Sequence, residues 1–126
     1  MRGRRGANAI VFALVMPVLF AILTGMMDYS WVFMLRHGAM NAARVGARVG
    51  SVTDPAGSPE SAAADAAYQR WSRLRVGGEP TIVAFRTGDP QLMAVRITID
   101  VRGTIGFVMG PSTVQVTAVE EMEKQP

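Results

Sequence analysis

The chain contains no cysteine, which excludes disulfides, thiolate-bound metal and a cysteine nucleophile and leaves the redox compartment open. A single histidine, His37, excludes an all-histidine metal site within one chain. Asp54, Asp65, Asp89 and Asp100 stand singly, while Glu120, Glu121 and Glu123 gather at the C-terminal end. No pairing among them suggests general acid and base roles. A glycine-flanked nucleophile elbow and a phosphate-cradling loop are also missing, and Gly103-x-x-Gly106 is too weak a pattern to carry a ligand. These absences point away from an enzyme and imply neither cofactor nor metal.

Charge is also missing from one long stretch. No Asp, Glu, Lys or Arg occurs from Gly6 through Met27. At about 1.5 Å per helical residue, positions 7 to 27 cover roughly 30 Å, one hydrocarbon thickness. A cleaved secretory signal has a shorter apolar core followed by small residues, whereas Asp28, Tyr29, Ser30 and Trp31 follow here and the helical pattern continues. The segment reads as a retained membrane anchor. Arg2, Arg4 and Arg5 precede it and orient the N-terminus toward the cytoplasm and the remainder outside.

The net charge of +3 and the pI near 10.2 do not imply a nucleic-acid surface. Taking those three arginines from the 13 basic residues leaves ten, against ten acidic ones. Without the leader the chain is formally neutral, so no phosphate-tracking surface is expected.

Pro17 lies mid-span, where it removes one backbone hydrogen bond and reads either as a tolerated bend or as a point of local unwinding. Beyond the span, positions 28 to 50 contain no proline. They carry two ladders of small residues, Gly38, Ala42, Gly46 and Gly50 beside Ala39, Ala43 and Ala47. Such ladders admit a second helix at close range. Each glycine costs roughly 1 kcal/mol against alanine in a helix, so something must pack there, either the chain's own domain or neighbouring subunits. Arg36, Arg44 and Arg48 drift round one side and read as a solvated stripe, with partner carboxylates or anionic headgroups as the other reading.

Positions 51 to 58 form a linker dense in turn formers. Ser58 and Pro59 then offer an N-cap and first-turn pair for a helix running to about Arg75, ended by Gly77 and Gly78. Its expected apolar face is Ala64, Ala67, Tyr68, Trp71 and Leu74. Thr81 to Arg86 favours a strand, and Thr87 to Pro90 a turn. Val95, Ile97, Ile99 and Val101 alternate with polar residues, and Thr113 to Val119 repeats the pattern. Short connections make the sheet antiparallel, and the long helix is the expected cover for its apolar face. Phe107, Val108 and Met109 in the second connection are expected to pack back on the domain. The fold class is α+β: a long N-terminal membrane-spanning helix with a small helix and a three-stranded antiparallel sheet.

The run GANAIVFALVMP followed by TGMMDYSWVFMLRHGAMNAARVGARVGS resembles the N-terminal region of TadE-like minor pseudopilins of the tight-adherence (Tad) type IV pilus. The resemblance spans roughly positions 3 to 51. It rests on the basic leader ending in Gly6, on Pro17, on the pair Asp28 and Tyr29, and on Asn41, Ala42, Ala43 and Arg44 leading to Gly46, Ala47 and Arg48. It implies a prepilin leader (1–6) cut by a prepilin peptidase between Gly6 and Ala7, a pilin-like helix (7–50), a linker (51–58) and an extracytoplasmic domain (59–126). It further implies an inner-membrane protein that joins other pilins and the Tad assembly machinery by helix packing, in a structural, initiating or tip role. One position departs from the family: its usual glutamate, five residues into the mature chain, is here Val11. That carboxylate is thought to neutralise a neighbour's α-amine in an apolar bundle. Its loss suits a subunit that receives no such amine, as at a filament tip, and equally suits an anchored binding domain that is never processed.

Overall fold

The computed structural model describes residues 3–75, 78–87, 92–101 and 110–121. Arg2, Gly77, the turn from Gly88 to Pro90 and the connection holding Gly103, Gly106, Phe107, Val108 and Met109 lie outside them, as does Glu123.

The first element, α1, is one unbroken helix from Gly3 to Val52, about 75 Å long. It runs through Pro17 without interruption. The ring there removes only the amide that would bond the Ala13 carbonyl. Thr24 instead adds a bond, its Oγ1 donating to the carbonyls of Phe20 at 2.9 Å and Ala21 at 3.1 Å. Ser30 Oγ does the same to Met26 O at 2.7 Å. These two hydroxyls are thus satisfied by their own helix.

A short 3₁₀ turn, Pro55–Gly57, follows, capped by Asp54 Oδ1 accepting from the Ala56 amide at 2.9 Å. The helix α2 spans Pro59–Ser72, with Pro59 in the expected first-turn position. Ser58 departs from expectation. Its backbone is left-handed, at φ 56°, and its hydroxyl caps nothing. The first amides are met by its carbonyl, which accepts from Ser61 N at 3.1 Å and Ala62 N at 3.3 Å. The helix also stops before Arg75, because Arg75 itself turns left-handed at φ 49°.

The buried face of α2 is Pro59, Ala63, Ala67 and Trp71, four residues apart. The expected face is therefore rotated: Tyr68 is exposed, and Ala64 and Leu74 are half-buried. The reason lies on α1. A Cβ built on Gly46 would stand 2.6 Å from the Ala63 carbonyl oxygen and 2.8 Å from the Ala67 Cβ. On Gly50 it would meet Ala63 Cβ at 2.8 Å, and on Gly38 it would meet Leu74 Cδ1 at 2.8 Å. Against Gly46 and Gly50 only the smallest side chains of α2 fit, whereas Gly38, farther along, meets the larger Leu74 and Trp71. Tyr68 in place of an alanine would hold the two helices apart. The contact order Gly50, Gly46, Gly38 against Ala63, Ala67, Leu74 makes the helices antiparallel.

Three strands complete the domain: β1 (Thr81–Arg86), β2 (Leu92–Val101) and β3 (Ser112–Glu121), antiparallel in the order β1-β2-β3. The register pairs Ile82 with Ile97 and Ile97 with Val116, and likewise Ala84 with Val95 and Val95 with Ala118. These residues share the inner face with Met93, Ile99 and Val101. The helices cover that face: α1 lies along β3 and β2, and α2 lies along β1. Arg96, on the outer face, places its guanidinium 5.2 Å from the Phe85 ring centroid. Arg86 Nε bonds Glu60 Oε1 at 2.8 Å, tying β1 to the first turn of α2.

Replacing Gly46 with alanine should lower the unfolding free energy by about 1–3 kcal/mol, because backbone atoms must move to admit the methyl. Gly78→Ala, where a Cβ meets nothing within 4 Å, serves as the near-neutral control. Glu60→Ala should cost less than about 1 kcal/mol, since both partners of its ion pair are partly solvated. Chemical denaturation of the three variants in detergent compares them.

Candidate functional site: one helix in two environments

The two halves of α1 face different surroundings. Its outer half is paved on one side by the domain: Leu35, Ala39, Ala42, Ala43 and Ala47 are buried in the core, with Gly46, Gly50 and Ser51. Most of the first half is bare among the described residues. Ile10, Val11, Phe12, Leu14, Val15 and Val18 are all exposed, Leu14 at 74%, as are Leu19, Phe20, Ile22, Leu23, Met26 and Met27, while Met16, Thr24 and Gly25 are half-buried. These positions cover every side of the helix. The most apolar window has a mean hydropathy of 2.5 and none of it is buried. A helix apolar all round and bare all round requires lipid or other helices around it.

The predicted packing ladder thus divides. Gly38, Ala42, Gly46 and Gly50 are taken up by the chain's own α2 and β2 rather than by neighbouring subunits, while Pro17 stays exposed on the bare segment. The half-buried Gly38 marks the limit of the α2 contact.

The acidic-aromatic pair also divides. Asp28 is fully buried and Tyr29 is 65% exposed. Tyr29 begins an exposed ladder at helical spacing: its ring stands 6.4 Å from that of Phe33, and Phe33 stands 4.3 Å from His37. His37 Nδ1 lies 3.2 Å from the Phe33 carbonyl oxygen, within donating distance. Asn41, Arg44 and Arg48 continue on the exposed side, as does Arg36. All three arginines are exposed, which leaves open both the solvated-stripe reading and that of partner carboxylates or anionic headgroups. Arg44 and Arg48 further line a groove against β3 with Thr117 and Glu120.

At the N-terminal end, Gly6 lies within α1, is exposed and has nothing within 4 Å of a built Cβ. Arg4, Arg5 and Ala7 also lie on the helix backbone. No break separates the leader from the apolar segment among the described residues. Val11 is 62% exposed, on surface that the domain does not reach. Among the described residues, no three His, Cys, Asp or Glu side chains come together.

Two features escaped the sequence: the burial of Asp28, and the place of Pro59 and Ala63 beside the expected Ala67 and Trp71 on the buried face of α2. The second has a signal. Pro59, Ala63, Ala67 and Trp71 repeat at the four-residue interval of the glycine ladder on α1, and small residues at a matched interval on two helices are complementary. Nothing local distinguishes Asp28 from a solvated end of the span.

Leu19→Arg should abolish stable membrane integration or drive the segment off-centre, at a cost of about 2.5–3.5 kcal/mol for a mid-span arginine. Alkaline carbonate extraction of the variant measures it. The folded domain does not touch this position, so the near-ultraviolet dichroism of the detergent-extracted protein should be unchanged.

The family model described as TadE-like protein matches residues 6–48, within the stretch that carries the resemblance, so the N-terminal third of the chain is TadE-like. No curated protein and no solved structure matches the chain.

Proposed function

We propose, from the TadE-like segment at residues 6–48, that the chain is a minor pseudopilin acting by helix packing in assembly, initiation or tip formation of a Tad-type pilus or related secretion filament. It is not an enzyme in this reading. The observation that carries it is the large exposed apolar surface of residues 8–27 beside an outer helix whose small-residue face is already covered by the chain's own domain. The chain's own domain consumes the small-residue ladder, which leaves the apolar first half of α1 as the surface available to other pilins.

The basic leader places the N-terminus in the cytoplasm and the domain outside the bacterial inner membrane. A prepilin peptidase would cut between Gly6 and Ala7, where the exposed glycine has no neighbour within 4 Å of a built Cβ. Val11 supplies no carboxylate to a neighbouring α-amine, which suits a terminal subunit over one embedded along the shaft. The same residue favours a second reading, an unprocessed membrane-anchored binding domain that keeps its leader.

The N-terminal sequence and mass of the membrane-extracted protein, from cells with and without the prepilin peptidase, separate the two. An N-terminus at Ala7 that depends on the peptidase is expected. An intact leader in both cells would establish the anchored domain instead. If the chain is processed, immunogold label on sheared filaments should sit at ends, and label spread along the shaft would refute the tip assignment.

A further inference from the structure

The burial of Asp28 changes where the surface of α1 first becomes charged. In sequence, the uncharged run ends at Met27. On the folded surface it continues, because Asp28 is enclosed, and the next charged residue is Arg36. The thirty residues from Gly6 to Leu35 thus present no charge outward, a length of about 45 Å. That matches a bilayer with its headgroup layers, about 40–45 Å, rather than the hydrocarbon alone.

The residues added by this extension are those of an interface. Tyr29 and Phe33 are exposed and Trp31 is half-buried, and such aromatic side chains concentrate at headgroup depth. Arg36 stands about 13 Å beyond Met27, and helical side chains lean toward the N-terminus, so its guanidinium reaches back toward the bilayer.

The fold then brings a second basic element to the same level. Because α2 runs antiparallel to α1, its C-terminal end returns toward the membrane, with Leu74 against Gly38. Arg73 and Arg75 flank Leu74 and are exposed. Phe33, Arg36, His37, Arg44, Trp71 and Leu74 line one groove at this junction. The sheet has the same polarity. Met93 lies by Gly50 and pairs with Arg86, so that end is distal, whereas Asp100 and the segment before Thr81 are at the near end. The carboxylates there are Glu79, which is exposed, and Asp100, whose Oδ1 accepts from Thr113 Oγ1 at 3.0 Å.

We infer that the folded domain rests on the membrane surface, with Tyr29, Trp31 and Phe33 in the headgroup layer and Arg36, Arg73 and Arg75 against the phosphates of anionic lipids. This rests on the reading of residues 7–27 as membrane-spanning. The domain is then not held away from the bilayer on a solvated stalk, and its orientation follows from lipid contact as well as from α1.

The natural chain has no cysteine, so single-cysteine variants Val18→Cys, Phe33→Cys and Val52→Cys of the full chain can each carry one fluorophore, in nanodiscs holding a single copy. Nitroxide deep on the acyl chain should quench the label at position 18, nitroxide on the headgroup should quench that at 33, and neither should quench that at 52. No quenching at 18 would refute the spanning reading itself. Quenching at 18 without quenching at 33 would overturn the inference alone, as would shielding of 33 only when several copies share a disc, which assigns that face to a second copy.

Spin-labelled phosphatidylglycerol should associate with the protein more strongly than spin-labelled phosphatidylcholine, by on the order of fivefold for each engaged arginine. The preference should fall with added salt and drop severalfold in the triple variant R36Q/R73Q/R75Q, whose three sites are exposed and outside the core, leaving only what the arginines ahead of the span contribute at the other leaflet. An undiminished preference in that variant would overturn the inference. Equal association of the two lipids with the unmodified protein would overturn the inference.

Discussion

The approach of the Ala63 carbonyl oxygen to Gly46, so close that a Cβ would fall 2.6 Å from it, is the contact on which the rest of the structure depends. It fixes the separation of α1 and α2, and at Gly46 and Gly50 that separation admits only the small side chains of Ala63 and Ala67. The glycines that make the contact possible weaken α1 as an isolated helix by roughly 1 kcal/mol each. Packing therefore has to hold the outer half of the helix in shape, and α2 and the sheet supply it.

The seam itself is made of small side chains, which bury little apolar area. The larger contributions come from around it, from Leu35 and Trp71 and from the β2 row of Met93, Val95, Ile97, Ile99 and Val101. An isolated three-stranded sheet would leave that row half in water. With two helices laid across it, the sheet gains a covered face, and the outer half of the long apolar helix becomes part of its core. The apolar half and the domain are joined by one continuous helix, the outer half of which packs on the sheet.

Alternation made β2 and β3 legible residue by residue: Val95, Ile97, Ile99, Val101, Val116 and Ala118 all face inward, since one buried face imposes a period of two. The span was legible because charge cannot be hidden in a lone lipid-facing helix. The face of α2 was misread at Tyr68 because hydrophobicity and fit diverge there. An aromatic ring is the better apolar residue, but an alanine is the one that a glycine ladder admits. The Ser58 cap was misread because a serine before a proline signals a helix start and says nothing about its own backbone, which the preceding 3₁₀ turn brings into the left-handed region.

The sequence by itself determined that three arginines precede a long apolar helix, that a small α+β domain follows, and that the first half of the helix needs lipid or other helices around it. Those conclusions rest on charge, length and periodicity, which are properties of a segment. Only the tertiary structure decided what the glycine ladder packs against, that Asp28 is enclosed while Tyr29 is not, and that the basic end of α2 returns to the level of Arg36. Each of these depends on which distant backbone comes close, and closeness is set by the volumes of side chains on two elements at once, which no single segment records.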